Sequence, residues 1–394
     1  MNIRALYKLN NIIVSGIFLG MIYVPFGLGI LEKDIDISAK EKRRLADFPN
    51  IELRVGSIKQ FPKRFDEYYS DHFGGRNWLN NIYRSIKYRM GDSSSIDVTL
   101  GSDGWLFLGS AKKGYKRYND PIGDFRNINL YSQKELKQVA EYMQSIKNWL
   151  NSQGIEYMFV IAPNKHTIYP EYLPDYITKV NSISATDQLV NYLKNHTDVP
   201  VVDLREAILE KKSEHRLYYK TDTHWNYSAG NYAQYKIMQQ LQRMFPNQIT
   251  PKLSKLKYRE RHGGDLATMI GVHSFSEMIP LPVPSKEDCT PVKKPSNARE
   301  TKIFTTTCKG QKLSAIIFRD SFFNALKPYF SRRFKRVTYS WGVLNFKLLK
   351  KLMKSGKPDI VIEEIVERKL PYHPKPIPKF KVVKKMVEIG PGAR

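Results

Sequence analysis

Leu313-Ser314-Ala315-Ile316-Ile317-Phe318-Arg319-Asp320-Ser321-Phe322 decides the fold. Leu313 to Phe318 is a short, mostly apolar run, as expected of a strand buried on both faces. The chain then reaches a serine where a helix begins. The same alternation continues downstream. Arg336 to Trp341 reads as a strand, Leu344 to Ser355 as a helix, and Asp359 to Val366 as a final strand. Upstream, Ser132 with Glu135 three residues on forms a capping box for a helix running to about Ser152, which Gly154 ends. Ile155 to Ala162 is a buried strand, Ala185 to Asn195 a helix, and Val199 to Asp203 a strand. A helix from Asn226 to Phe245 stops at Pro246, and Ile96 to Leu108 reads as a hairpin turning at Ser102-Asp103-Gly104. Strands alternating with helices predict an α/β domain built on a mostly parallel sheet with helices on both faces.

Two stretches fall outside this rhythm. Residues 275–311 are rich in Pro, Lys and Thr and contain both cysteines, Cys289 and Cys308; they read as an insertion. Residues 370–394, with Pro371, Pro374, Pro376 and Pro378, read as an extended or disordered tail. The expected domain therefore covers residues 96–369.

The amino terminus has a different character. Ile12 to Leu31, IIVSGIFLGMIYVPFGLGIL, contains no charge and is long enough to cross a bilayer core of about 30 Å. Arg4 and Lys8 precede it without an acidic residue, which leaves residues 1–11 in the cytoplasm and sends the rest outside. A cleaved signal peptide would carry a shorter apolar core and a small-x-small site, and Gly29-Ile30-Leu31-Glu32-Lys33 is a poor one. The expectation is an uncleaved single-pass anchor over residues 12–31, in the inner membrane, with a periplasmic domain. Residues 32–95 follow as a helical approach, since Phe65, Tyr68, Tyr69, Phe73, Trp78, Leu79, Ile82 and Tyr83 recur at helical spacing.

The 394 residues carry a net charge of +26, from 64 Lys+Arg against 38 Asp+Glu. Such a chain attracts polyanions. Export makes nucleic acid an unsuitable partner and favours an anionic membrane surface or an acidic glycan. A mean hydropathy of −0.47 excludes a multi-pass membrane protein. Two cysteines cannot build a disulfide scaffold or a four-cysteine zinc site, though Cys289 and Cys308 could pair outside the cytoplasm or stay as buried thiols.

Three places can carry chemistry. In Thr221-Asp222-Thr223-His224-Trp225-Asn226, residues i and i+2 of an extended segment point the same way. Asp222 can then fix the tautomer of His224, which a general base needs. Asn226 follows at the start of a helix. The second place is Arg319-Asp320-Ser321, at the carboxyl edge of a parallel sheet, where sites gather. Backbone N–H groups there can hold an oxyanion, and Ser321 read alone is equally a helix N-cap. The third is Ala162-Pro163-Asn164-Lys165, where Asn164 could donate to an oxyanion and Lys165 could meet an anionic substrate group; a turn with a solvated lysine is the bland alternative. A metallophosphoesterase is a competing class, because Asp222-x-His224 and Gly263-Gly264-Asp265 could supply ligands. It needs a second histidine cluster, and His262 and His273 are isolated. No metal is expected.

Taken in order, these motifs resemble those of the extracytoplasmic alginate O-acetylation proteins and their SGNH-hydrolase-like relatives. The matching pieces include Glu41 to Pro49, Asp71-His72-Phe73-Gly74-Gly75-Arg76, Gly104-Trp105-Leu106-Phe107 and Pro163-Asn164-Lys165 with Tyr169-Pro170. Asp222-Thr223-His224-Trp225, Gly264-Asp265-Leu266-Ala267, Asp320-Ser321-Phe322 and Val366-Glu367-Arg368 complete them. The resemblance implies an SGNH-like, flavodoxin-like fold with Ser321 as nucleophile, His224 as base and Asp222 as orienting acid. Arg319 stands where many relatives have glycine, so with Asn164, Lys165 and Asn226 it is a candidate for shaping substrate or oxyanion contacts. The implied activity is transfer of acetyl groups, through an acetyl-serine, to an acidic or neutral polysaccharide. The resemblance also implies a membrane-bound O-acyltransferase-type partner as acetyl source and no cofactor, since coenzyme A is not expected outside the cytoplasm. An SGNH-type acetylesterase and a non-catalytic glycan-binding subunit are the alternatives.

Overall fold

The computed structural model describes residues 3–31, 37–38, 43–50, 55–110, 119–272, 275–285, 289, 292–293 and 303–372. Contacts divide the chain into two units, Met1–Ser95 with Ala267–His273, and Ile96–Leu266 with Ser274–Arg394.

In the first unit, α1 (Ile3–Leu31) contains an apolar span, Tyr7–Gly29, of mean hydropathy 2.0, long and apolar enough to cross a membrane. A short pairing of β1 (Ile37–Ser38) with β2 (Arg43–Arg44) follows. The approach segment contains two helices, α2 (Val55–His72) and α3 (Arg76–Arg89). Gly75, at φ 74°, makes the break, a conformation costly for any residue with a Cβ. The aromatic periodicity is visible on α2, where Phe61, Phe65, Tyr69 and Phe73 form a ladder with centroids 5.6–6.3 Å apart. Asp71 and His72 of the motif hold the preceding chain, Asp71 accepting from the Ala46 N–H (2.8 Å) and His72 bonding the Ala46 carbonyl (2.9 Å).

The second unit is the α/β domain. The hairpin β3 (Val98–Leu100) and β4 (Leu106–Leu108) opens it. α4 (Pro121–Phe125) and α5 (Gln133–Asn151) follow, α5 beginning in the Ser132–Glu135 capping box. Next come β5 (Glu156–Ala162), α6 (Lys165–Ile168), α7 (Ala185–His196), β6 (Val201–Asp203), α8 (Arg205–Leu209) and α9 (Tyr227–Met244). β7 (Leu256–His262) and β8 (Ser276–Pro282) form a separate antiparallel ribbon, joined by a segment that includes α10 (Asp265–Met269). β9 (Val292–Lys293), β10 (Ile303–Thr307), β11 (Ser314–Arg319), α11 (Lys327–Arg333), β12 (Arg336–Trp341), α12 (Phe346–Lys354) and β13 (Ile360–Val366) complete it.

The main sheet runs β6-β5-β13-β11-β12-β10-β9. The first five strands are parallel, and β10 and β9 add antiparallel at one edge. The sheet is thus mixed. The antiparallel strands come from residues 275–311, which also supply β8, so the described part of that stretch pairs into both the main sheet and the ribbon. Helices cover both faces. Ala229, Ile237, Leu241 and Phe330 pack one face, and Leu136, Val139, Ile146, Leu189 and Leu349 pack the other. The central strand β13, IVIEEIV, is buried along its whole length, as a strand covered on both sides requires. Of the tail, Glu367–Tyr372 forms a 3-10 turn; later residues lie outside those described. Cys289 and Cys308 are joined as a disulfide, their Cα atoms 5.9 Å apart.

Candidate active site

Asp222 and His224 meet, but not through an extended segment. Residues 220–224 form a tight bend. Asp222 Oδ1 accepts from the backbone N–H of His224 (3.1 Å) and from its Nδ1 (2.7 Å), so an Asx-type turn makes the pair. The other carboxylate oxygen accepts from Arg261 Nη2 on β7, at 2.8 Å. Arg261 in turn lies 4.8 Å over the Tyr219 ring. Burial pushes the Asp222 carboxyl up, but the bonds from His224 and the Arg261 charge outweigh it and hold it well below the usual carboxylate range. With Nδ1 donating to Asp222, Nε2 of His224 is left as the basic nitrogen.

Asp265 is the second carboxylate here. Its Oδ2 lies 3.6 Å from His224 Nδ1, and its Oδ1 accepts from the Thr223 N–H at 2.7 Å. Burial, then repulsion from Asp222, pushes its carboxyl up. Gly264 permits this approach, because a Cβ there would sit 2.3 Å from the Thr221 carbonyl and 2.8 Å from Asp222 Cβ. Asp222, His224 and Asp265 offer donor atoms within 4.8 Å of one another. Both carboxylates address the same imidazole nitrogen, however, and Arg261 occupies the outer oxygen of Asp222. That arrangement braces a histidine and does not suit a cation.

Ser321 follows β11. It does not cap a helix: its backbone is helical (φ −69°, ψ −23°), and no side-chain cap bond forms. Asp320 takes the structural part instead. Its Oδ1 accepts from Phe322 N (2.9 Å), its Oδ2 from Val366 N (3.1 Å), and Lys369 pairs with it at 3.2 Å. Trp225, beside His224, donates from Nε1 to the Phe322 carbonyl at 2.7 Å, and the His224 and Phe322 rings lie 5.3 Å apart. That bond ties the histidine bend to the serine turn. Asp222, His224, Arg261, Ser321 and Asn324 line one cleft of about 160 Å³, with Tyr219 and Tyr227 on its walls.

The other sequence candidates lie elsewhere in the network. Asn164 is buried; its Nδ2 donates to Asp124 (2.6 Å) and its Oδ1 accepts from Arg368 (3.0 Å), so its amide is held inside the protein's own network, away from the residues that line the cleft. Lys165 is buried too and donates to three backbone carbonyls, so it meets no substrate anion. Asn226 caps α9, accepting from Ser228 N and Ala229 N. Arg319 reaches the cleft only through a residue that lines it. Its guanidinium lies 4.9 Å over Trp341, and Nη1 donates to Asn324 Oδ1 at 3.0 Å.

That last bond marks a residue which sequence reasoning missed. Arginine offers only donors, so the Asn324 atom facing it must be oxygen, and the amide NH₂ of this cleft-lining residue has no acceptor among the described residues. Arg261 was missed as well, since β7 reads as a charged stretch without strand alternation. Gly264-Asp265, read as a metal-ligand candidate and as one of the resembling motifs but given no part beside His224, was the available signal for the second carboxylate.

Comparisons with known proteins agree with this fold. Residues 98–311 match the family model described as SGNH hydrolase-like domain, acetyltransferase AlgX. A "Probable alginate O-acetylase AlgJ" from Pseudomonas syringae pv. tomato is 24% identical over 272 residues, 67% of this chain and 64% of that protein. The match thus spans just under two thirds of that relative. Among solved structures, the O-acetyltransferase domain of Pseudomonas putida AlgJ is similar at 18% identity and a TM-score of 0.42, covering 70% of this chain and 92% of that one. Bacillus cereus PatB1 is similar at 16% identity and a TM-score of 0.47, covering 68% and 95%. With more than half of its length matched by the family model, this chain belongs to the SGNH hydrolase-like, AlgX-type acetyltransferase domain family.

Proposed function

We propose that the protein is an O-acetyltransferase that moves acetyl groups through an acetyl-serine onto hydroxyls of an exported polysaccharide. The observation that carries this reading is one cleft lined by Ser321 and by a histidine whose Nδ1 is fixed on a carboxylate. Ser321 Oγ attacks the acetyl carbonyl as His224 Nε2 takes the hydroxyl proton. The tetrahedral intermediate collapses, the leaving group takes that proton from His224, and acetyl-Ser321 remains. A sugar hydroxyl then gives its proton to His224 and attacks the acetyl carbonyl. The ester bond to Ser321 breaks, and the serine oxygen recovers the proton. The Asn324 amide is the best-supported oxyanion donor, because its NH₂ is uncommitted among the described residues while the Phe322 N–H is spent on Asp320. The donor is an ester or thioester of acetate presented at the membrane, for which an O-acyltransferase-type partner and the apolar helix α1 are the fitting company. A net charge of +26 suits an acidic acceptor such as a uronate polymer.

Hydrolysis competes, because the His224 side chain is 28% exposed and water can reach it. The test uses the full chain in detergent micelles with 4-nitrophenyl acetate, followed by intact mass and peptide mapping. Acetyl on Ser321 that discharges to oligouronates supports the transferase. Discharge to water alone supports an esterase. Turnover no faster than in Ser321→Ala, with no acetyl on Ser321, overturns the catalytic reading and leaves a glycan-binding subunit.

A further inference from the structure

We propose that the Lys165 ammonium is a positioning residue for the Asp222–His224 pair, holding the bend that carries them against the β3–β4 hairpin. The inference rests on the catalytic reading above, but its geometry stands apart from it. Lys165 follows β5 at the carboxyl edge of the sheet and is 2% exposed. Its Nζ donates to the carbonyls of Leu106 (2.6 Å), Lys220 (2.8 Å) and Asp222 (3.1 Å). The Trp105 and Phe107 rings lie 4.9 and 5.2 Å from the same nitrogen. Two more bonds cross the junction, from Leu106 N to the Lys220 carbonyl at 2.8 Å and from Lys220 Nζ to the Asp103 carbonyl at 3.0 Å.

Three carbonyls need three N–H donors, and only the charged form has three. A neutral amine has two, and its lone pair would face a carbonyl oxygen. The Asp222 carbonyl, at the longest of the three distances, is the first to be released, and it belongs to the residue that orients His224. The groups around the ammonium pull both ways. Asp222 on the bend, Asp265 at the start of α10 and Glu277 on β8 favour the charge. Arg216 opposes it, as does burial, and His166 stands next in the chain. Burial is the largest influence and pushes the ammonium down to about 7, which brings loss of the third donor within reach of ordinary pH.

The test compares wild type, Lys165→Met and Lys165→Arg as full chains in detergent. Acetyl-ester turnover is measured from pH 5.5 to 9.5, together with hydrogen exchange of peptides covering residues 104–108 and 218–226. Wild type should lose activity above about pH 7. Lys165→Met should lower kcat roughly 30-fold with KM changed less than about threefold, and its profile should lack that alkaline fall. Lys165→Arg, which cannot lose its proton, should move the fall above pH 9. In Lys165→Met, exchange should quicken at least about tenfold in the two named peptides and stay unchanged in β5 and β13.

A kcat within threefold of wild type in a folded Lys165→Met protein would overturn the proposal. So would an alkaline fall that survives in Lys165→Met or Lys165→Arg, or faster exchange spread over the whole domain, which marks general destabilisation. A wild-type profile without any fall between pH 6 and 9 would do the same. If wild type shows neither turnover nor acetyl on Ser321, the catalytic reading fails, and exchange in the two peptides still decides whether Lys165 holds the bend.

Discussion

The two sides of the cleft are built on opposite plans. On the histidine side every reactive atom except Nε2 is held: Asp222 by Arg261 and by His224 itself, the Thr223 N–H by Asp265, and the bend from beneath by Lys165. On the serine side the backbone is pinned, through Asp320 to Phe322 and Val366, while the Ser321 hydroxyl makes no hydrogen bond among the described residues. One side is tied by side chains arriving from four places in the chain. The other is tied by its own strand and the strand beside it. A base must be aimed and its tautomer fixed before reaction, whereas a nucleophile must be free to move toward carbon.

Four substitutions test that contrast. Asp222→Asn keeps the shape of the bend but offers His224 an amide, and the wrong tautomer should cost about 10³-fold in acetyl-ester kcat, or about 4 kcal/mol. An effect below tenfold would mean that Asp265 supplies the orienting carboxylate. Asp320→Ala should act on the other side through stability. It leaves two backbone N–H groups and Lys369 without their partner and should lower unfolding free energy by about 2–4 kcal/mol in a urea titration.

Arg261→Gln should lower kcat about tenfold, near 1.4 kcal/mol, and should also shift acid unfolding. Burial raises Asp222, but the bonds from His224 and the Arg261 charge bring it below its unfolded value. Its stabilisation is therefore complete above the unfolded value of about 4 and fades as pH falls toward the folded one. Removing the guanidinium should move the acid midpoint upward, and an unchanged midpoint would show that His224 alone holds the carboxylate down. Asp265→Asn should have the smallest effect, about threefold in kcat, because Oδ1 can still accept from Thr223 and the imidazole contact is the longer one, at 3.6 Å.

Much of this arrangement is written locally. The Ser132–Glu135 box, the buried runs of β5, β11 and β13, and Asp222 two residues from His224 are short-range signals, and the structure has all of them. What the sequence hid is direction. Asn164, Lys165 and Asn226 were read as groups facing substrate because of their chemistry, yet each is buried and bonded to the protein itself. Residue type shows what a side chain can bond, while the fold decides which partner arrives first. The antiparallel edge was hidden for another reason. β10 lies in a Thr-rich stretch next to lysines and prolines, and it becomes a strand by pairing with β12, not by an alternating pattern of its own.

The position of β13 has a consequence for biosynthesis. This strand lies between β5 and β11, at the middle of the five parallel strands, yet it is the last strand among the described residues. A polypeptide that has emerged as far as residue 355 already carries Asp222, His224, Asp265 and Ser321. It still lacks the strand that joins the two halves, so β5 and β11 each present an open, apolar edge, the kind of surface that pairs with other chains. Completion of the sheet must wait until Ile360–Val366 has been released, and a nonsense mutation just before it should yield aggregated protein and not a weakened enzyme.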